Sequence, residues 1–312
     1  MAGRDVNWNG ERAPATGRES KMRFHYAESM TPIANYIPLA QAAEANGYAG
    51  FTIPDSLIYP KASDTSYSYT EDGGREFLEN KPFIESFILA TAIGVATRTL
   101  EMTTNVVKLP VRPPLYSAKL VSSIAALTGD RFNLGVGLSV WPEDYAVMGV
   151  PYAARGKRFD ECIAIVRGLC AGGYFEFHGE FYDLPPVKLN PVPGKPLPIL
   201  IGGFADAALK RAAHNDGFMY AGGDGGTDQL KAMLDKIAAY RAEAGLTDRP
   251  FRIFATAMGK IDADVVKRHE DLGVTDMPVA FRNLYAVEED SQPLSDKIDD
   301  MKRFADEVIA KL

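Results

Sequence analysis

The chain has 312 residues, 46% of them hydrophobic and 24% charged, enough to bury a large core as one barrel or two smaller domains. Its net charge of -7 is spread without long single-sign runs. That argues against nucleic acid and anionic membrane surfaces as partners and leaves small molecules.

Residues 1–21 hold no apolar stretch able to serve as a signal peptide and read as a flexible tail. No later run reaches the ~18 apolar residues of a membrane helix. Cys162 and Cys170 lie eight apart on one predicted helix, about 12 Å at a 1.5 Å rise, too far for a disulfide. A reducing, cytoplasmic location is expected.

From residue 22 onward, apolar runs alternate with helical patterns. Strands are predicted at 22–28, 49–55, 100–107, 131–138, 198–203, 217–223, 251–258 and 275–281. Helices follow at 32–46, 82–97, 114–127, 155–171, 204–214, 226–244, 262–272 and 295–311. With no break in composition, 22–312 reads as a single domain. Eight strand-then-helix units predict an α/β fold with a parallel sheet, closed as a (β/α)8 TIM barrel. An open doubly wound sheet would need a glycine-rich phosphate turn after its first strand, where the chain reads ESMTP.

Two connections are long. The first, 56–81, follows the second strand at the barrel end that carries active sites, and is predicted to be a lid. The second, 172–197, precedes the fifth strand and is predicted to be a packing hairpin.

The four histidines form no close pair and neither cysteine joins one, so no metal site is expected. Gly135-Val136-Gly137 lacks the third glycine of a dinucleotide fingerprint and reads as close packing inside the barrel. Two glycine pairs say more. Gly202-Gly203 opens a predicted helix at Phe204, and Gly222-Gly223 precedes another. Amides freed at helix starts bind anions, so both pairs are candidates for a phosphate. Glu28, Asp55 and the Glu143-Asp144 pair end strands on the same side, where carboxylates bind ligands, move protons or cap helices. Tyr26, Phe51, Tyr59 and Trp141 are candidates for the wall of an apolar pocket.

The run Ala126-Leu127-Thr128-Gly129-Asp130-Arg131-Phe132-Asn133-Leu134-Gly135-Val136-Gly137 resembles a signature of the luciferase-like superfamily. Glu143-Asp144-Tyr145, Gly149-Val150-Pro151-Tyr152 and Arg155-Gly156 follow at the family's distances. Phe177-His178-Gly179-Glu180-Phe181-Tyr182 then leads to Pro198-Ile199-Leu200-Ile201-Gly202-Gly203. Within the superfamily the chain is similar to the branch using the deazaflavin coenzyme F420.

The resemblance implies a deazaflavin ring over the C-terminal mouth of the barrel. Asp55 would lie near it, and Thr104, Asn105 and Val106 would form a bulge whose non-proline cis peptide backs one ring face. Leu138 and Ser139 would face the ring. Gly202, Gly203 and Phe204 would hold the cofactor phosphate, with Gly222 and Gly223 adding contacts. Tyr26, Ser56, Tyr59, Val140 and Trp141 would line the substrate pocket, and a homodimer is implied.

Sugar-phosphate-oxidising relatives pair a glutamate after the first strand with a histidine after the second and a glutamate after the fourth. Here Glu28 matches the first, but Ser56 and Val140 stand at the other two. The expectation is an F420-dependent oxidoreductase moving a hydride between C5 of the deazaflavin and a small organic substrate, with Glu28 as the proton-transfer candidate. An FMN-dependent monooxygenase and a non-catalytic cofactor-binding barrel are the alternatives.

Overall fold

The computed structural model describes residues 22–312 apart from 64, 68, 69, 71, 223–225 and 258, so the expected tail and Gly223 lie outside the described residues. The strands are β1 (Arg23–Ala27), β2 (Gly50–Ile53), β3 (Glu101–Thr104), β4 (Val107–Lys108), β5 (Phe132–Gly137), β6 (Phe175–His178), β7 (Asp183–Val187), β8 (Ile199–Gly202), β9 (Gly217–Tyr220), β10 (Arg252–Ala255) and β11 (Asp276–Val279). The α-helices are α1 (Tyr36–Ala45), α2 (Ser86–Ala96), α3 (Pro114–Thr128), α4 (Pro142–Val147), α5 (Arg155–Cys170), α6 (Asp206–Ala213), α7 (Gly226–Glu243), α8 (Ala263–Asp271) and α9 (Leu294–Glu307).

Each strand of the main sheet pairs in parallel with its neighbours. The order runs β3, β2, β1, β11, β10, β9, β8, β5, and a further β3–β5 pairing closes the ring. Tyr26 of β1 aligns with Val279 on one side and Phe51 on the other. Closure leaves no free edge and excludes the open sheet.

The barrel strands read as near-continuous apolar runs because side chains are covered on both faces. All six residues of β5 are buried. Its glycines are required by close approach: a Cβ on Gly135 would lie 1.9 Å from the Thr104 carbonyl oxygen. The run ahead of β5 ends α3 at Gly129, whose φ of 64° lets the chain turn back into the barrel.

The 172–197 connection forms the antiparallel hairpin β6–β7. The Phe175 ring packs over α5 at Gly168, where a Cβ would meet it at 2.1 Å. One element departs from the sequence reading: the short helix α4 directly after β5, begun by Pro142 at its first position. Among the described residues no helix is long and apolar enough to cross a membrane, and both cysteines are free and buried.

Candidate functional site

The C-terminal ends of the strands and the 56–81 connection build one mouth. After β3 the chain breaks step at Asn105-Val106, a cis peptide bond that does not involve proline. The break is held from both sides, since Asn105 N donates to Ile53 O at 2.7 Å and the Thr104 hydroxyl to Gly135 O at 2.8 Å. The Val106 side chain lies against β5 and β8, where only glycine leaves room. A Cβ on Gly137 would meet it at 2.8 Å and one on Gly202 at 2.9 Å. The result is a shelf of backbone and a single valine.

Beside it, Gly203 has φ 139°, and α6 begins with no side chain capping its N-terminus. The Phe204 ring is partly exposed and meets Tyr220 edge-on at 5.8 Å. Gly222 is buried at φ 91°.

Asp55 stands at this mouth with its carboxylate fully engaged. It accepts from both terminal nitrogens of Arg112, from Lys108 N at 3.0 Å and from the Ser86 hydroxyl at 2.9 Å. It therefore holds the 105–112 segment to β2 through other residues. Glu28 is equally committed: Arg282 donates from Nη2 at 2.6 Å and Nε at 3.0 Å, Lys297 from Nζ at 2.9 Å, and the Tyr26 hydroxyl at 3.2 Å. Lys297 also pairs with Asp290 at 2.9 Å, and Glu28, Lys297 and Asp290 are all buried. Two cations and two carboxylates compensate one another there, as buried charges must.

Tyr26 and Phe51 lie in the core, their rings edge to face at 5.4 Å, below the pocket wall that their sequence pattern suggested. Burial pushes the Tyr26 hydroxyl well above its ordinary range. Ser56 is half-buried, its hydroxyl donating to Ile58 O at 3.5 Å, and Val140 is 48% exposed. Leu138 packs on the main core. Ser139 is buried, bonds Asp144 at 2.5 Å and accepts from Trp141 N at 3.0 Å.

The described residues of the 56–81 connection lie over the mouth. Its Tyr59, Tyr67, Phe77 and Leu78 pack with Met30, from after β1, and Trp141, from after β5, in a small apolar cluster. Arg75 of the same connection lies 4.9 Å from the Trp141 ring and 3.4 Å from Glu143.

Sequence reasoning missed Arg75, Lys108, Arg112, Arg282 and Lys297, which answer its candidate carboxylates. Each partner is at least 57 residues away from its carboxylate or arrives through an irregular loop, apart from Lys108 with Asp144, which join across β4 and α4 at 2.7 Å. No period or spacing signals such pairs. Among the described residues no three metal-ligating side chains gather.

The luciferase-like monooxygenase family model matches residues 12–292. An uncharacterized protein of Mycobacterium tuberculosis is 55% identical over 291 residues, 93% of this chain and all of that one. Monooxygenase RslO1 from Streptomyces bottropensis superposes with a TM-score of 0.72 at 16% identity, over 93% of this chain and 99% of that one. The coenzyme F420-dependent tetrahydromethanopterin reductase of Methanopyrus kandleri gives 0.70 at 14% identity, over 94% and 99%. At those identities the two structures speak for the fold. The match across most of its length shows that the chain belongs to the luciferase-like monooxygenase family.

Proposed function

We propose that the protein is an F420-dependent oxidoreductase acting on a small organic substrate beneath the 56–81 connection. The observation that carries the reading is the shelf at Val106, Gly137 and Gly202 beside the uncapped start of α6. An apolar surface of backbone and one valine seated on two glycines suits the face of a tricyclic ring, and a helix start without a side-chain cap suits its phosphate. The residues present thus fit the cofactor. When bound, the deazaflavin supplies a carbon-borne hydride at C5.

The chain's own part is positioning. Val106 supports one ring face, and Asp55 keeps it in place through Lys108 and Arg112. Gly202, Gly203 and Phe204 hold the phosphate, with Gly222 alongside. Phe77, Leu78 and Trp141 exclude water. Ser56 and Val140 bring neither a base nor an acid to the mouth, which favours reduction of an acceptor over oxidation of a sugar. With its carboxylate spent on Arg282 and Lys297, Glu28 serves as the anchor of that wall.

A second reading, an FMN-dependent monooxygenase, is favoured by the family match and by the likeness to RslO1. Titration with F420 and with FMN, followed by fluorescence and calorimetry, separates the two. F420 binding with hydride transfer to an acceptor is expected. FMN binding with oxygen uptake and no F420 binding would overturn the proposal.

A second copy of the chain is the partner assigned to the outer face of α2 and α3. The two helices are neighbours, α2 contains no charged residue, and Ile88, Val95, Tyr116 and Leu127 are 60–66% exposed on them. A helix as apolar as α2 calls for cover, and the same face of a second copy provides it.

A further inference from the structure

The mouth holds a concentration of buried polar atoms that the cofactor reading does not use. Among the described residues Arg75 Nη1, Trp141 Nε1 and Asp144 Oδ1 make no hydrogen bond, and Lys108 Nζ, with three N–H donors, meets a single oxygen, Asp144 Oδ2. Beside them, Glu143 Oε2 and the Tyr145 hydroxyl also make no hydrogen bond among the described residues. The four atoms belong to one group of side chains. Lys108 Nζ lies 4.6 Å from the Trp141 ring centre, Arg75 lies 4.9 Å from the same ring, and Lys108 Nζ is 2.7 Å from Asp144 Oδ2. Buried polar groups are paired in native proteins with few exceptions, so several in one place call for a ligand or bound water.

The kind of ligand follows from counting donors and charges separately. Three donor groups, on Arg75, Lys108 and Trp141, with several N–H between them, face two carboxylate oxygens, Asp144 Oδ1 and Glu143 Oε2. The group therefore lacks acceptor oxygens. Its charges nevertheless cancel, because Glu143 offsets Arg75 at 3.4 Å and Asp144 offsets Lys108. A carboxylate or phosphate would add an uncompensated negative charge next to a fully buried aspartate, and its desolvation would not be returned. An uncharged oxygen satisfies the donors without that cost. Tyr59, Tyr67, Phe77 and Leu78, with Trp141 itself, surround the group with apolar and aromatic surface.

We propose that Arg75, Lys108 and Trp141 form the substrate subsite for an uncharged carbonyl oxygen carried on an apolar ring or conjugated body. Lys108 follows Val106 by two residues and pairs in register with Gly137, so this subsite adjoins the shelf. The inference rests on the cofactor reading only for the claim that reaction occurs at this mouth; the binding preference stands without it.

The test is calorimetry on cofactor-free protein with three probes: 1-indanone, indane, which lacks the oxygen, and benzoate, which adds a charge. The ketone should bind at least about tenfold more tightly than either of the others, the return of one hydrogen bond to a charged donor. In Lys108→Met the preference for ketone over indane should fall to within about threefold while indane affinity holds. Trp141→Phe removes one donor and no charge, and should weaken the ketone selectively, which keeps the test readable if Lys108→Met does not fold. Equal binding of ketone and indane, tighter binding of benzoate, or no ketone binding would leave these atoms to solvent and overturn the proposal. The same preparations are titrated with F420. Loss of F420 binding alone removes the cofactor reading, and loss of ketone preference alone removes the subsite.

Discussion

Arg112 grips Asp55 with both terminal nitrogens, Nη2 at 2.7 Å from Oδ1 and Nη1 at 2.9 Å from Oδ2. The carboxylate is 1% exposed and the guanidinium 9%, so neither group finds water if the other is lost. Breaking a buried pair by removing one partner costs about 3–5 kcal/mol, and Arg112 would keep only the more distant Glu85 carboxylate, at 3.7 Å. Asp55→Asn should lower unfolding stability by that order in urea titrations. Because Asp55 also accepts from Lys108 N, the variant should weaken F420 binding beyond what the stability loss explains.

The glycines of the shelf should separate fold from function. In Gly135→Ala the new Cβ would meet the Thr104 carbonyl at 1.9 Å, and backbone cannot step aside. A loss above about 3 kcal/mol, seen as failure to give a cooperative melt, is expected. In Gly202→Ala the Cβ meets a methyl group of Val106 at 2.9 Å, a side-chain atom rather than backbone. That variant should fold, at a cost of about 1 kcal/mol, and bind F420 more weakly in fluorescence titrations.

Glu28→Gln distinguishes an anchor from a proton carrier. Its two oxygens serve Arg282, Lys297 and Tyr26, so the substitution should cost about 3 kcal/mol in chemical denaturation. The pH profile of turnover should keep both limbs. A vanished limb in the variant would return Glu28 to the proton-transfer role.

Acid stability should fall in two stages. His25 is fully buried, and desolvation holds its folded pKa below the ordinary 6.5 despite the Asp276 carboxylate at 2.7 Å. As pH falls below 6.5 the unfolded chain takes up a proton before the native one, so stability decreases there. Burial alone would raise Asp276, but His25 and Arg252 outweigh it and hold its carboxyl well below the usual range. A second loss therefore begins below about pH 3.9. Melting temperature measured from about pH 7.5 downward should show both, and His25→Asn should flatten the first.

The outer face of α2 and α3 is checked by charge. Val95→Glu and Leu127→Glu place a carboxylate among apolar side chains that are more than 60% exposed in the isolated chain. Each should shift the light-scattering mass from dimer to monomer with the melting temperature nearly unchanged. A wild-type monomer would remove the assignment.

The barrel was legible in the sequence because each of its eight units writes its own signal. An apolar run, a turn and an amphipathic stretch are local patterns, and parallel strands covered on both faces show them strongly. The shelf was partly legible: glycines at 135 and 137 announced close approach, whereas Gly202 read as a phosphate turn, and what approaches all three, Thr104 O and Val106, came only from the closed ring. Helix α4 went unread because six residues after a strand are too few for a period.

Electrostatic partners were not legible at all. Asp55, Glu28 and Asp144 read as strand-end carboxylates open to several roles, with no partner named, and it was the barrel's closure that brought Arg112, Arg282, Lys297 and Lys108 onto them. The sequence by itself determined which strands and helices form, since those depend on neighbours a few residues away. Which carboxylates are spent and which polar atoms remain unpaired at the mouth was decided only by the tertiary structure, because charge pairing depends on distance in space and those distances exist only once the ring has closed.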